Sequence, residues 1–289
     1  MSKSVSAVAL LARRFLLSKA SDGFLSFIAW VSILGVALGV LALVVVMSVI
    51  NGFEGELVRV ITGMHGDVVF YTRGDPISDP DEVGLRIRKT VPEVKTMTQS
   101  FVTELMASGP GGVAGAMLEG VDFATVGDVT EITDRVVAGR LPVEDGEVAL
   151  GTSLADRLGV KQEACDGAAG CKDPEIRLII PFTGETQAGQ EPGSGSPKAV
   201  KARVVGFIKM GMHEYDSKFV YATLPSVQNF VGQPGRITMY KLRLAAGSDT
   251  RKASDKLADA FGYPYRAKDW AQLNKNLFYA IQLEKVVIA

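Results

Sequence analysis

The sequence predicts a membrane-anchored α+β protein, with one N-terminal transmembrane helix, helical stalks and an extracytoplasmic mixed α/β domain. Three observations carry this. The run from Gly23 to Phe53 spans 31 residues without an Asp, Glu, Lys or Arg. Basic residues cluster on one side of that run only. Residues 66–267 then show strand-like and helix-like segments in mixed order, the pattern of α+β rather than of a doubly wound sheet.

Composition narrows the function classes. The chain is 47% hydrophobic with a mean hydropathy of +0.19, too apolar for an ordinary soluble enzyme. Its 31 Lys+Arg against 32 Asp+Glu leave no basic footprint for a nucleic acid. Two His and two Cys, with neither C-x-x-C nor H-E-x-x-H spacing, predict no metal site. A phosphate-binding glycine loop and a nucleophile elbow are missing too, so no cofactor is expected.

In chain order, residues 1–22 carry Val8, Leu11, Phe15 and Leu16 at helical spacing around Arg13 and Arg14. This reads as a cytoplasmic amphipathic segment on the inner leaflet, or simply as a positive topology signal. The transmembrane helix occupies 23–51, since about 20 apolar residues cross the hydrocarbon core. A cleavable signal is the rival, but its apolar core would stop after about 7–15 residues. Lys3, Arg13, Arg14 and Lys19 precede the span and Glu54 and Glu56 follow it, which puts the N-terminus in the cytoplasm. Ser32, Gly35, Gly39 and Ala42 recur at three- and four-residue steps and form a candidate helix-packing face.

Phe53, Leu57, Val60 or Ile61, and Met64 continue the helical spacing, which predicts a stalk over 52–65. The domain over 66–267 follows, with strands expected at 67–72, 94–107, 113–121, 175–181, 202–208, 218–222 and 237–244. Helices are expected over 83–90, 154–158, 226–231 and 250–261. Gly109-Pro110-Gly111-Gly112 lies between two strand-like runs and reads as a hairpin turn. Trp270, Leu273, Leu277, Ile281 and Ile288 make a helical stripe over 268–289, a second stalk that reaches the start of another membrane helix.

No catalytic constellation emerges, which argues against an enzyme. His213 stands in a polar stretch that reads as a solvated loop, and His65 closes the first stalk. Cys165 and Cys171 are a candidate disulfide around a small loop, with a redox-active pair as the sharper alternative. Thr183–Pro197 has no aliphatic side chain larger than alanine and lies between two strand-like runs. It reads as a projecting hairpin arm or as a surface insertion.

Phe27-Ile28-Ala29-Trp30-Val31-Ser32-Ile33-Leu34-Gly35 and Met47-Ser48-Val49-Ile50-Asn51-Gly52-Phe53-Glu54 resemble the first membrane helix of the lipoprotein-releasing ABC transporter permeases, the LolC/LolE type. The likeness continues through Gly146-Glu147-Val148-Ala149-Leu150-Gly151 and Leu154-Ala155-Asp156-Arg157-Leu158, and returns at Asp269-Trp270 and Leu283-Glu284-Lys285. The resemblance implies an extracytoplasmic domain of the MacB-like periplasmic type and a location in the bacterial inner membrane. The implied partners are a cytoplasmic ABC ATPase dimer, a partner permease subunit, a periplasmic lipoprotein carrier and acylated lipoproteins. ATP would be hydrolysed in the ATPase.

By the same resemblance, the carrier-docking arm corresponds to 181–198, with Pro181, Phe182, Thr183, Gly184, Gln187, Gln190, Pro192, Pro197 and Lys198 as candidate contacts. Val46, Met47, Ile50 and Phe53 would line a lipoprotein gate, with plain lipid contact as the alternative. The arm lacks bulky apolar residues between Thr183 and Ala199, so carrier-docking and lipoprotein-receiving types both stay open. Family members carry further membrane spans, so the chain is expected to match their N-terminal portion. Alternatives are a mechanotransmitting efflux permease or a cell-wall-hydrolase-regulating permease of the same superfamily, and a signal-anchored periplasmic binding module.

Overall fold

Helix α1, Gly23–His65, is the first element of the computed structural model, which describes residues 23–162, 175–180, 198–276, 278, 279 and 283. The amphipathic segment 1–22, Cys165, Cys171, arm residues 181–197, and Leu277, Ile281 and Ile288 of the terminal stripe lie outside the described residues. The chain divides into two compact units, one comprising 1–56 with 279–289 and the other Leu57–Phe278.

In the first unit α1 is apolar on every side: Phe27, Leu34, Leu41 and Val49 are all exposed. At about 1.5 Å per residue, Phe24–Ile50 spans roughly 40 Å, enough to cross a hydrocarbon core of about 30 Å. The expected helix-packing residues Ser32, Gly35, Gly39 and Ala42 are exposed, and a Cβ added to Gly35 or Gly39 would meet nothing within 4 Å.

Among the described residues, the second unit is built on one sheet of ten strands. They are β1 (Val68–Thr72), β2 (Val94–Gly109), β3 (Gly112–Val121), β4 (Val136–Gly139), β5 (Glu147–Gly151), β6 (Glu175–Ile180), β7 (Lys198–Ile208), β8 (Phe219–Thr223), β9 (Met239–Leu244) and β10 (Tyr265–Asp269). The helices are α2 (Pro80–Thr90), α3 (Thr152–Leu158), α4 (His213–Asp216), α5 (Leu224–Val231), α6 (Thr250–Phe261) and α7 (Trp270–Leu273).

Six strands close on themselves. β2 pairs with β3, β3 runs parallel to β8, β8 pairs with β5, β5 runs parallel to β7, β7 pairs with β6, and β6 returns to β2. The result is a small barrel, and register fixes which residues point into it. Ala107 opposes both Ala114 and Leu178, Leu105 opposes Ala116, and Ile176 opposes Ala202, all of them buried in one apolar core. Alternation along a strand then sends the intervening residues outward. Helix α5 closes one end of the ring over Gly120, where a Cβ would come within 2.8 Å of Val227 Cβ. At the other end the β2–β3 turn rests on α3, with Gly111 N–H donating to Leu158 O at 2.8 Å.

Strands β9, β1 and β10 extend the sheet from the N-terminal half of β2 and carry α2 and α6. Asp79 caps α2 by accepting from Glu82 N–H, and Asp249 caps α6 by accepting from Lys252 N–H.

Every strand and helix expected within the described part of the domain is present, and Gly109–Gly112 forms the expected hairpin turn. Strands β4, β5 and β10 were not anticipated. The polar stretch around His213 is also a correction. It is a helical turn in which the buried Asp216 carboxylate accepts from Met210 N–H and Gly211 N–H, although His213 itself is exposed. The terminal stripe begins as one capped turn, with Asp269 and Gln272 forming a capping box, and is interrupted at Asn274.

Candidate functional site

Helix α1 does not end in solvent. A helix leaves its last four carbonyls without intrahelical partners, and its C-terminus carries partial negative charge. Here three of those four carbonyls, which belong to the second unit, find partners within it. Lys241 Nζ donates to Met64 O at 3.1 Å, Arg243 Nη2 donates to Thr62 O at 3.0 Å, and Glu131 N–H donates to Gly63 O at 2.5 Å. Both cations come from outward-pointing positions of β9, where the helix dipole favours them.

Each cation has a carboxylate of its own. Lys241 pairs with Glu119 of β3 at 2.5 Å, and both side chains are almost fully buried, at 2% and 3% exposure. Ser100 Oγ of β2 donates to the same Glu119 oxygen at 2.7 Å. Arg243 pairs with Asp67 at 2.9 Å and also donates to Val129 O, while the second Asp67 oxygen accepts from Leu244 N–H at 2.8 Å. Met64 lies in an apolar cluster with Val121, Ala149, Ile208 and Tyr221 on the outside of the barrel, and Ile61 is fully buried. The last turn of α1 is therefore held by charge, hydrogen bonds and packing against β2, β3, β8 and β9 together.

Gly66 makes the exit possible. Its φ is +71°, its N–H donates to Thr62 O at 2.9 Å, and an added Cβ would stand 2.6 Å from Leu242 O. This is the left-handed residue that commonly ends a helix. Gly66→Ala is expected to destabilise the domain by about 1–3 kcal/mol through backbone strain and the forced displacement of β9, read as a shift of the urea midpoint.

His65 completes the junction. Its Nε2 lies 3.1 Å from Tyr215 OH, and its buried Nδ1 has no hydrogen-bond partner among the described residues. Burial, reinforced by the Lys241 charge and opposed by Glu119, lowers its pKa from 6.5 to about 4. Between those values the unfolded imidazole takes a proton that the folded one refuses. Acidification from pH 6.5 to 4 should thus cost stability, on the order of 3 kcal/mol, and His65→Phe should flatten the melting temperature across that window.

A second polar centre sits at the start of β5. Burial would push the Glu147 carboxyl up. Hydrogen bonds from Arg140, Val143 N–H, Glu144 N–H and Arg203 outweigh it and hold the pKa down to about 2. Beside it a cavity of about 320 Å³ opens into the barrel, with Lys198 at its lip.

The residues singled out from sequence fall apart spatially into separate groups. Val46 and Phe53 are exposed on α1, and Met47 and Ile50 are half-exposed there, with no metal-holding group of His, Cys, Asp or Glu among the described residues. Lys198, the one described arm residue, begins β7 and donates to Phe230 O at 2.6 Å. Lys241, Glu119, Arg243, Asp67 and Tyr215 were missed. The signal available was an alternation that places two cations on one face of β9 and a Glu on the matching face of β3.

Comparison with known proteins gives this arrangement relatives. The family described as MacB-like periplasmic core domain matches residues 29–260. The lipoprotein-releasing system transmembrane protein LolC of Neisseria meningitidis serogroup B is 28% identical over 283 residues, covering 94% of this chain and 63% of that protein. LolC of Xylella fastidiosa is 26% identical over 278 residues, covering 95% and 63%. The chain thus spans under two thirds of the length of these relatives. Among solved structures, the extracellular domain of the ABC-type transporter YknZ from Gram-positive bacteria gives a TM-score of 0.43 at 15% identity, covering 70% of this chain and 99% of that one. The periplasmic region of MacB from Actinobacillus actinomycetemcomitans gives 0.42 at 12%, covering 75% and 95%. With a family match that takes in most of α1 and the sheet through α6, the chain belongs to the MacB-like periplasmic core domain family.

Proposed function

We propose that this chain is the N-terminal part of a LolC-type permease subunit of an ABC transporter that releases lipoproteins from the inner membrane and passes them to a periplasmic carrier. The chain is not itself catalytic in this reading. ATP is hydrolysed by a cytoplasmic ABC ATPase dimer, and a second permease subunit completes the complex. The N-terminus lies in the cytoplasm and the barrel domain in the periplasm. The likeness to LolC proteins along almost the whole chain supports the cargo.

The observation that carries the mechanical part is the clamp on the end of α1. A helix whose final carbonyls are gripped by Lys241, Arg243 and the Glu131 N–H cannot slide or rotate freely in its socket. Motion of the membrane helix is then delivered to β3 and β9 as displacement rather than dissipated in a loose linker. In this scheme Val46, Met47, Ile50 and Phe53 face the entering acyl chains, Ser32, Gly35, Gly39 and Ala42 receive a neighbouring helix, and the arm over 181–198 docks the carrier.

Affinity purification of the tagged chain from bacterial membranes, with mass spectrometry of the bound proteins, tests the proposal. An ABC ATPase, a second permease and a soluble lipoprotein carrier are expected, and the carrier alone should be lost on deletion of 181–197. Recovery of an efflux adaptor or a cell-wall hydrolase in their place would contradict it.

A further inference from the structure

We propose that the barrel holds a single alkyl chain of an amphiphile, inserted past α5 with its polar head at the lip formed by Lys198 and Asp145. The inference stands on the cavity alone and does not rest on the transport reading.

The cavity of about 320 Å³ is a half-open recess between α5 and the barrel strands. Its walls are the inward residues of five strands, including Leu118 of β3, Val148 of β5, Leu178 of β6, Ala202 of β7 and Ala222 of β8. The space exists because alanines stand where larger side chains would fill it. Ala202 and Ala222 face the cavity, and Ala107, Ala114 and Ala116 continue the same interior. The recess is half open to solvent, so its aliphatic walls stay in contact with water until an apolar group covers them, which makes such a group a favourable occupant. Barrel mouths are a recurrent place for small-molecule sites, which start at about 300 Å³.

The lining specifies the occupant. Below the lip the walls are aliphatic except where Glu147 borders them, and the one aromatic ring of the lining, Phe230, stands at the rim, half-exposed. An aliphatic tube with no ring to stack on suits a flexible saturated chain better than a planar ligand. The polar side chains of the lining are Lys198, Asp145, Ser226 and Asn229 toward the opening, and Glu147, which is buried and already paired with Arg140 and Arg203. Lys198 and Asp145 are of opposite sign and suit a zwitterionic or carboxylate head better than a strongly cationic one. The volume is near the lower limit for ligand pockets, which favours one chain over two. The Lys198 ammonium bridges the opening to Phe230 O at 2.6 Å and lies 5.6 Å from the Phe230 ring centre, so it crosses the path of an entering chain. Its own stem is long and exposed, and its displacement costs one solvent-exchangeable hydrogen bond.

The test uses the full chain in phosphatidylcholine nanodiscs with a palmitate analogue that carries a mid-chain diazirine. After irradiation, adducts are mapped by peptide mass spectrometry. Adducts are expected on peptides containing Val200 and Phe230 as well as on lipid-exposed α1. Ala222→Leu, which fills the cavity, should lower the barrel adducts by an order of magnitude and leave those on α1 unchanged. Should that variant misfold, Val200→Asp at the half-open lip is the second test, with the same loss expected. Excess unlabelled palmitate and lysophosphatidylethanolamine are competed separately, and displacement of the barrel adducts by either one identifies the preferred head. Adducts confined to α1, barrel adducts undiminished in both variants, or competition by neither amphiphile would overturn the proposal.

Discussion

Lys241→Met is expected to cost the domain about 3–5 kcal/mol, because it leaves the Glu119 carboxylate buried against β2 and β9 with its cation removed. The loss has two components. Among the described residues Glu119 keeps the Ser100 hydroxyl as a donor, and Met64 O at the end of α1 loses the hydrogen bond from Lys241. Removing one partner of a buried pair is far more damaging than replacing both by apolar groups of similar volume. The double variant Lys241→Met/Glu119→Leu should therefore recover most of the stability. Urea unfolding of both variants, followed by circular dichroism, checks this. A single-variant loss below about 1 kcal/mol would mean that the pair is solvated in practice, the range typical of exposed ion pairs. The double variant has a further use: it should restore the fold without restoring the grip on α1, which separates stability from coupling.

Under the proposed transport role, Leu57→Pro in the permease is expected to abolish lipoprotein release while the domain keeps its melting temperature. Leu57 stands two turns before His65, ahead of the carbonyls that Arg243 and Lys241 hold. Proline there removes an interior helix hydrogen bond and clashes with the preceding turn, at a local cost of about 3 kcal/mol or more. The socket, which begins near Ile61, is left intact. Leu57→Ala, which keeps the helix, should release normally. Release is measured from spheroplasts as transfer of a labelled lipoprotein to the soluble fraction. Normal release in the proline variant would remove the case for rigid coupling through α1.

The membrane helix was legible because an uncharged run of such length is a statement about composition and needs no tertiary information. The strands around Gly109–Gly112 were legible for a similar reason: the turn residues lie between two alternating segments. β5 was hidden by brevity, since all five of its residues are buried and it opens on Glu147, whose charge is acceptable only because Arg140 and Arg203 meet it. β10 reads Tyr-Arg-Ala-Lys-Asp, polar enough for a loop, and is a strand because β1 pairs along its whole length. The junction was hidden for a different reason. Alternation along β9 and β3 can put Lys241 and Glu119 on the face opposite the core residues, but it cannot show that this face lies beneath the end of α1.

The closed ring also sets the order in which the chain can acquire its structure. β3 cannot gain its parallel neighbour until Phe219–Thr223 has been made, and the circle is completed only by pairings that join β2 to β6 and β5 to β7. Such pairings between distant parts of the sequence are slow to form. α1, by contrast, is local and apolar and can enter the bilayer as soon as it is synthesised. Its buried end must then wait, with Ile61 and Met64 uncovered, until β9 arrives carrying Lys241 and Arg243. During biogenesis the molecule is thus expected to pass through a tethered, unassembled stage in which the socket stays open until β9 has been made, and that stage is where folding assistance and proteolysis would compete for it.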